Sequence, residues 1–215
     1  EYAIDTRTNL LADLSVEAFT HETASESVAP GGGSVSAAVG ALGAALGTMV
    51  ANLSSHKRGW DDRWEEFSDW AEKGKACHDE LLDLIDRDTD AFNAIMAAFG
   101  LPKGTDEEAA IRDAAILEAT KGAIEVPLRV MEVSLESMNV IEAMAETGNR
   151  ASVSDAGVGA LCARTAVLGA GMNVRINTKD LPDELATSYL DRASALESEA
   201  IRREAEVLVR INQML

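Results

Sequence analysis

Apolar residues along this 215-residue chain recur at steps of three and four, and alternation at step two is absent. That period belongs to helices packed by one face, so an all-α fold is expected. A short helix is predicted over residues 15–25. The run Val28-Ala29-Pro30-Gly31-Gly32-Gly33 breaks the pattern, and Ser34 stands as the N-cap of a second helix reaching Ser55. Gly59 is expected to open a third, and Gly100-Leu101-Pro102-Lys103-Gly104 reads as a loop. Thr105 with Glu108 three residues on forms a capping box for the fourth, which Pro127 should kink or split. Gly148-Asn149 ends it. Another helix runs from Ser152 or Ser154 to Asn177, and after Leu181-Pro182-Asp183 a last one carries the chain to Leu215. Short loops between long helices favour antiparallel neighbours, hence an antiparallel up-and-down helical bundle.

The third helix carries a heptad seam: Trp60, Trp64, Phe67, Ala71, Gly74, His78, Leu81, Ile85, Asp88, Phe92, Ile95 and Phe99. A seam this long fits packing within the bundle or across a dimer interface, and with aromatic residues crowded into its first turns it is expected to make the chain at least a dimer. Residues 35–53 contain no charge and include Gly43-Ala44-Ala45-Leu46-Gly47. Their length barely reaches a membrane span. Their Ala and Gly content, with Ser36, Thr48 and Asn52, favours a central helix buried on all sides of a soluble bundle.

Charge narrows the partners. The formal net charge is −18, which repels nucleic acid and acidic membranes, so neither is expected to bind. An anionic ligand would need a local cluster of Lys or Arg. Cys77 and Cys162 lack CxxC partners, and His21, His56 and His78 lack metal-ligand spacing, so no metal site is expected. Reduced thiols fit a cytoplasmic protein. The sequence starts at Glu1 with no signal-peptide pattern. Residues 1–13 are read as a linker or leader and 14–215 as the helical domain.

Asp88 is the sharpest candidate for chemistry. A carboxylate on the seam needs a partner or a raised pKa, and it serves either as a structural ion pair or as an acid-base group. Asp86 and Asp90 point elsewhere on the helix and are expected to be solvated. A second constellation, Asp155, Gly159, Cys162, Ala166, Gly169 and Asn173, with Asn177 a turn further, puts small residues on one helix face. That face fits a tight helix contact or a groove for a flat ligand, two readings that spacing leaves open. Asp155 also lies where a carboxylate complements the helix dipole. Gly31, Gly32, Gly33 and Ser34 lead into a helix N-terminus that attracts anions, though they match neither a Walker A loop nor GxGxxG. Lys57 and Arg58 offer positive charge at the far end of that helix.

Taken together, three stretches resemble formimidoyltetrahydrofolate cyclodeaminase domains, in that family's order and spacing. They are 29–35 with 40–47; 86–92 with 101–105; and Gly148-Asn149, Ser154-Asp155 and 173–177. The resemblance runs from Leu14 to the C-terminus. It implies an all-helical homodimer, no metal or other cofactor, and a folate substrate bound near the dimer interface. It also implies a catalytic Asp in the 86–92 motif, where Asp88 is the member on the seam; Asp155 is expected as an orienting or second acid-base group. The candidate substrate-binding set is Gly31, Gly32, Gly33, Ser34, Lys57, Arg58, Asn149, Ser154, Arg164, Asn173 and Asn177. Lys57, Arg58, Arg150, Arg164 or Arg175 would meet the glutamate tail of a polyglutamylated folate. The expected reaction turns 5-formimidoyltetrahydrofolate into 5,10-methenyltetrahydrofolate and ammonia. Hydrolysis of methenyltetrahydrofolate is the alternative, and a non-catalytic oligomerisation or folate-channelling module is the alternative of another class. The leader could be the junction to a fused or associated formiminotransferase domain.

Overall fold

The computed structural model describes residues 10–179 and 181–215; residues 1–9, most of the expected leader, lie outside it. Every regular element among the described residues is helical. The helices are α1 (Val16–Thr23), α2 (Gly32–Ser55), α3 (Trp64–Phe99), α4 (Asp106–Thr147), α5 (Val153–Asn177) and α6 (Asp183–Asn212). Local chemistry explains most boundaries. The Ser15 hydroxyl accepts from Ala18 N–H at the start of α1. Both halves of the Thr105–Glu108 capping box are formed at α4. Gly59 does not open α3: it adopts φ +85°, a left-handed turn, and a single 3-10 turn, Asp61–Arg63, intervenes before Trp64.

α2 starts at Gly32, two residues before the expected cap. Its N-cap, Gly31, has no side chain to satisfy the first-turn N–H groups, and a carboxylate from α3 supplies the acceptor. α2 packs chiefly against α3 and α5, and also against α4. Its small residues allow that. A Cβ on Gly43 would sit 2.9 Å from the Gly159 carbonyl oxygen, and one on Gly159 would sit 3.1 Å from that of Gly43. The small-residue face of α5 is therefore a backbone-to-backbone contact with α2, not a groove, through this middle stretch. Gly32 lies beside Asn173 at one end of the pair and Ser54 beside Asn149 at the other, so α2 and α5 run antiparallel.

One open packing question is answered for the middle of the α3 seam, and one expectation is corrected. The α3 seam is consumed within the chain: Phe67, Leu81 and Ile85 are buried, and Trp60 stacks on Phe67 at 5.4 Å. Its ends, Trp64, Phe92 and Phe99, are exposed. α2, long and apolar enough to cross a membrane, is not buried on all sides: Leu42, Met49 and Leu53 keep one face open beside the packed ones.

Pro127 neither ends nor splits α4, which is continuous across it. A proline has no N–H, so the carbonyl four residues back, on Ala123, loses its helical donor. The side chain of Asn177 replaces it, Nδ2 donating to Ala123 O at 2.8 Å. An apolar stretch of α4 thus accommodates proline because α5 ends on a well-placed amide.

Replacing Asn177 with Ala should therefore cost about 1–3 kcal/mol in urea unfolding, the penalty of an unsatisfied, partly buried carbonyl. In a Pro127→Ala background, where the helical donor returns, the same replacement should cost far less. Equal losses in both backgrounds would mean the amide is not compensating the proline.

Candidate active site

Where the N-terminus of α2 meets α3 and the end of α5, the chain encloses a cleft of about 160 Å³. Gly31, Gly32 and Gly33 form one wall; Asp88, Thr89, Phe92 and Ile95 of α3 form another; Ala123, Asn173 and Asn177 complete it. Among the described lining residues, Asp88 is the one that carries charge.

Asp88 is held through one oxygen. Its Oδ2 accepts from Ser34 N–H at 2.8 Å and from Ser34 Oγ–H at 2.9 Å. Oδ1 has no hydrogen-bond partner among the described residues and remains open to the cleft. Burial raises the pKa of this carboxyl, and the two Ser34 bonds oppose the shift without cancelling it. The contact depends on Gly33. A Cβ there would lie 2.5 Å from Asp88 Cγ and closer still to Oδ1, whereas one on Gly32 would meet Asn173 Nδ2 at an ordinary 3.6 Å. Gly33 is thus the glycine the geometry requires.

The other candidates divide between the two ends of the bundle. Asn173 and Asn177 join Asp88 and the glycines, with their amides already engaged: Asn173 Nδ2 donates to Gly169 O and Asn177 Nδ2 to Ala123 O. Asp155 does not join them in one chain. Eighteen residues separate it from Asn173, about 27 Å of helix. Asn149, which caps the turn before α5, and exposed Ser154 share that far end. Lys57, whose Nζ lies 3.9 Å from the Trp60 ring centroid, and exposed Arg58 follow the C-terminus of α2, about 36 Å from its start across 24 residues. Arg164 faces Glu204 at 3.9 Å, Arg175 pairs with Glu197 at 2.7 Å, and Arg150 is exposed. None of the five lines the cleft.

Asp86 corrects the expectation of a solvated side chain. It is buried, and its carboxylate accepts from Leu11 N–H at 2.6 Å and Ala12 N–H at 3.2 Å. These bonds tie the turn Leu11–Asp13, part of the expected linker, to the helix that carries Asp88. Asp90 is exposed. Burial pushes the Cys77 thiol up to about 11 and raises that of Cys162 as well, so neither is a ready nucleophile. No group of three or more His, Cys, Asp or Glu among the described residues converges as a metal site. Phe92 and Ile95, one and two turns beyond Asp88, had a readable signal in their steps of four and three. Thr89 and Ala123 had none.

The family model for formiminotransferase-cyclodeaminase matches residues 15–195. The chain belongs to that family. It is 40% identical over 187 residues to a methenyltetrahydrofolate cyclohydrolase of Methylorubrum extorquens, covering 86% of this chain and 90% of that protein. It is 38% identical over 199 residues to the formimidoyltransferase-cyclodeaminase of Rattus norvegicus, covering 92% of this chain but 37% of that longer one. The crystal structure of a formiminotetrahydrofolate cyclodeaminase from Thermotoga maritima superposes with a TM-score of 0.82 at 28% identity, covering 94% of this chain and 98% of that one. These relatives are enzymes of folate one-carbon metabolism, and this family member shares the fold of the Thermotoga maritima protein over 94% of the chain.

The glycine geometry yields a paired test. Gly33→Ala should displace the Asp88 carboxylate and lower turnover roughly a hundredfold, the scale of a misplaced catalytic group. Gly32→Ala should stay within a fewfold of the parent. Steady-state kinetics on both, with circular dichroism to confirm folding, decides it; matching losses would show that the wall as a whole, rather than the Gly33–Asp88 contact, matters.

Proposed function

We propose that this family member is a formimidoyltetrahydrofolate cyclodeaminase, an ammonia-lyase that forms 5,10-methenyltetrahydrofolate and ammonia from 5-formimidoyltetrahydrofolate. One observation carries the reading: a carboxyl of raised pKa has one oxygen fixed by α2 and the other open to a cleft with no second charged lining residue. The formimidoyl group is an amidine, a cation near neutral pH, and the methenyl product is a cation too. A lone carboxylate complements both. As N10 attacks the formimidoyl carbon, the proton of N10 must leave and the departing NH2 must gain one. Asp88 is suited to carry that proton from N10 to the nitrogen, after which the C–N bond breaks and ammonia departs. Such a positioned acid-base group contributes about 10²–10⁴ in rate. The folate is the substrate and no cofactor enters.

Cyclohydrolase activity is the second reading, favoured by the Methylorubrum extorquens relative whose length this chain nearly matches. There Asp88 would take a proton from water attacking the same carbon. The absorbance of methenyltetrahydrofolate separates the reactions. Formation from 5-formimidoyltetrahydrofolate supports the deaminase; loss of methenyltetrahydrofolate without any formimidoyl turnover overturns it. Asp88→Asn should lower the observed activity at least a hundredfold while the protein stays folded. Absence of both activities in the unmodified chain would favour a non-catalytic module.

We further propose that the up-and-down bundle works as a cytoplasmic homodimer. Leu42, Met49, Leu53, Val158, Leu161 and Met172 are exposed on α2 and α5, two helices that pack together, in a chain of net charge −18. A cleft of about 160 Å³ is smaller than a pocket that encloses a whole drug-sized ligand, so the tail of a polyglutamylated folate must extend outside it. A two-fold axis across this face would bring the Asp155, Lys57 and Arg58 end of a second copy over the Asp88 cleft. An associated formiminotransferase domain would deliver the formimidoyl substrate. Leu161→Glu should yield a monomer in sedimentation and lose most activity; a fully active monomer would show that one chain completes the site.

A further inference from the structure

Thr89 follows Asp88 on α3 and lines the same cleft, yet its hydroxyl is idle: Oγ1 is buried and has no hydrogen-bond partner among the described residues. Helical threonines normally turn Oγ1 onto the carbonyl of the preceding turn. Thr20, Thr23, Thr48, Thr147, Thr165 and Thr187 all do so here, each bonding the carbonyl four residues back at 2.7–3.0 Å. Thr89 forgoes a bond its own helix offers, and a buried polar group left unpaired is destabilising. Such a group calls for a partner that arrives from outside the chain. The cleft is where a partner would come from, because apart from Asp88 its walls are Gly31 to Gly33, the apolar Val28, Ala29, Ala91, Phe92, Ile95 and Ala123, and two amides already engaged.

We propose that Thr89 is a substrate-contacting residue whose buried hydroxyl turns about χ1 into the cleft, bonds the nitrogen of the folate one-carbon unit and holds it against Asp88 Oδ1. A hydroxyl donates and accepts at once, so it can follow that nitrogen as it changes from amidine to departing amine. A valine has the same shape and cannot. The inference rests on the reading of the cleft as a folate site, and it separates stability from function: Thr89→Val removes an unpaired buried group, so the folded chain gains while the chemistry loses.

The test uses the full chain with Thr89→Val and Thr89→Ser. For Val, kcat/KM should fall roughly tenfold or more, mainly through kcat, as expected for one lost hydrogen bond in the transition state. Its thermal midpoint should be unchanged or higher. Ser should stay within a fewfold of the parent. Full activity in the Val variant overturns the proposal, as does a lower midpoint with equal activity losses in Val and Ser, which would mark a structural side chain. Calorimetric binding of tetrahydrofolate distinguishes this failure from that of the functional reading. If the parent binds no folate, the functional reading falls and this inference with it. If the parent binds folate and turns it over while Val matches it in both, the Thr89 contact alone is wrong.

Discussion

The Asp88 carboxylate bonded to Ser34 is the constraint on which the rest depends. α2 begins with glycines and an N-cap without a side chain, so it needs an acceptor from elsewhere, and α3 supplies an anion at the positive end of its dipole. The same bonds fix the acid over the cleft. One side chain thus serves the fold and the proposed chemistry. Burial makes its charged form unfavourable, while Ser34 compensates in part. The outcome is a carboxyl of raised pKa with one oxygen left unbonded by the described residues, the arrangement on which the proposed proton transfer rests.

Close helix approach makes this arrangement possible. Gly33 admits the carboxylate, while Gly43 and Gly159 let α2 and α5 meet backbone to backbone. α5 then ends beside the cleft, where Asn177 satisfies the Ala123 carbonyl left free by Pro127. The Asp86 carboxylate anchors the turn before α1 to the same stretch of α3. Two aspartates two residues apart therefore bind backbone groups from different parts of the chain, one structural and one with an oxygen to spare.

Helix number, the Thr105–Glu108 cap and the place of Asp88 were legible because each rests on local chemistry or on a period along one helix. The start of α2 was not, because its capping anion comes from α3. Asp86 looked solvated because its backbone partners lie about 75 positions away. The α3 seam could have packed within the bundle or across a dimer, because periodicity tells that a face is covered and not by what. Asp155 and Asn173 shared a stripe, but the helical rise already placed them about 27 Å apart, a signal that face-counting overlooks. The idle hydroxyl of Thr89 left no trace in the sequence at all.

On the proposed reading Asp88 is a partly buried acid with a raised pKa, positioned for proton transfer rather than locked into an ion pair. Carbon-13 NMR of carboxyl-labelled aspartate, with the Asp88 signal assigned by its loss in Asp88→Asn, measures this directly. The account predicts a titration midpoint clearly above the ordinary aspartate value of about 3.9. A midpoint at or below that value would show a carboxylate stabilised in its charged form by Ser34, and would contradict the account.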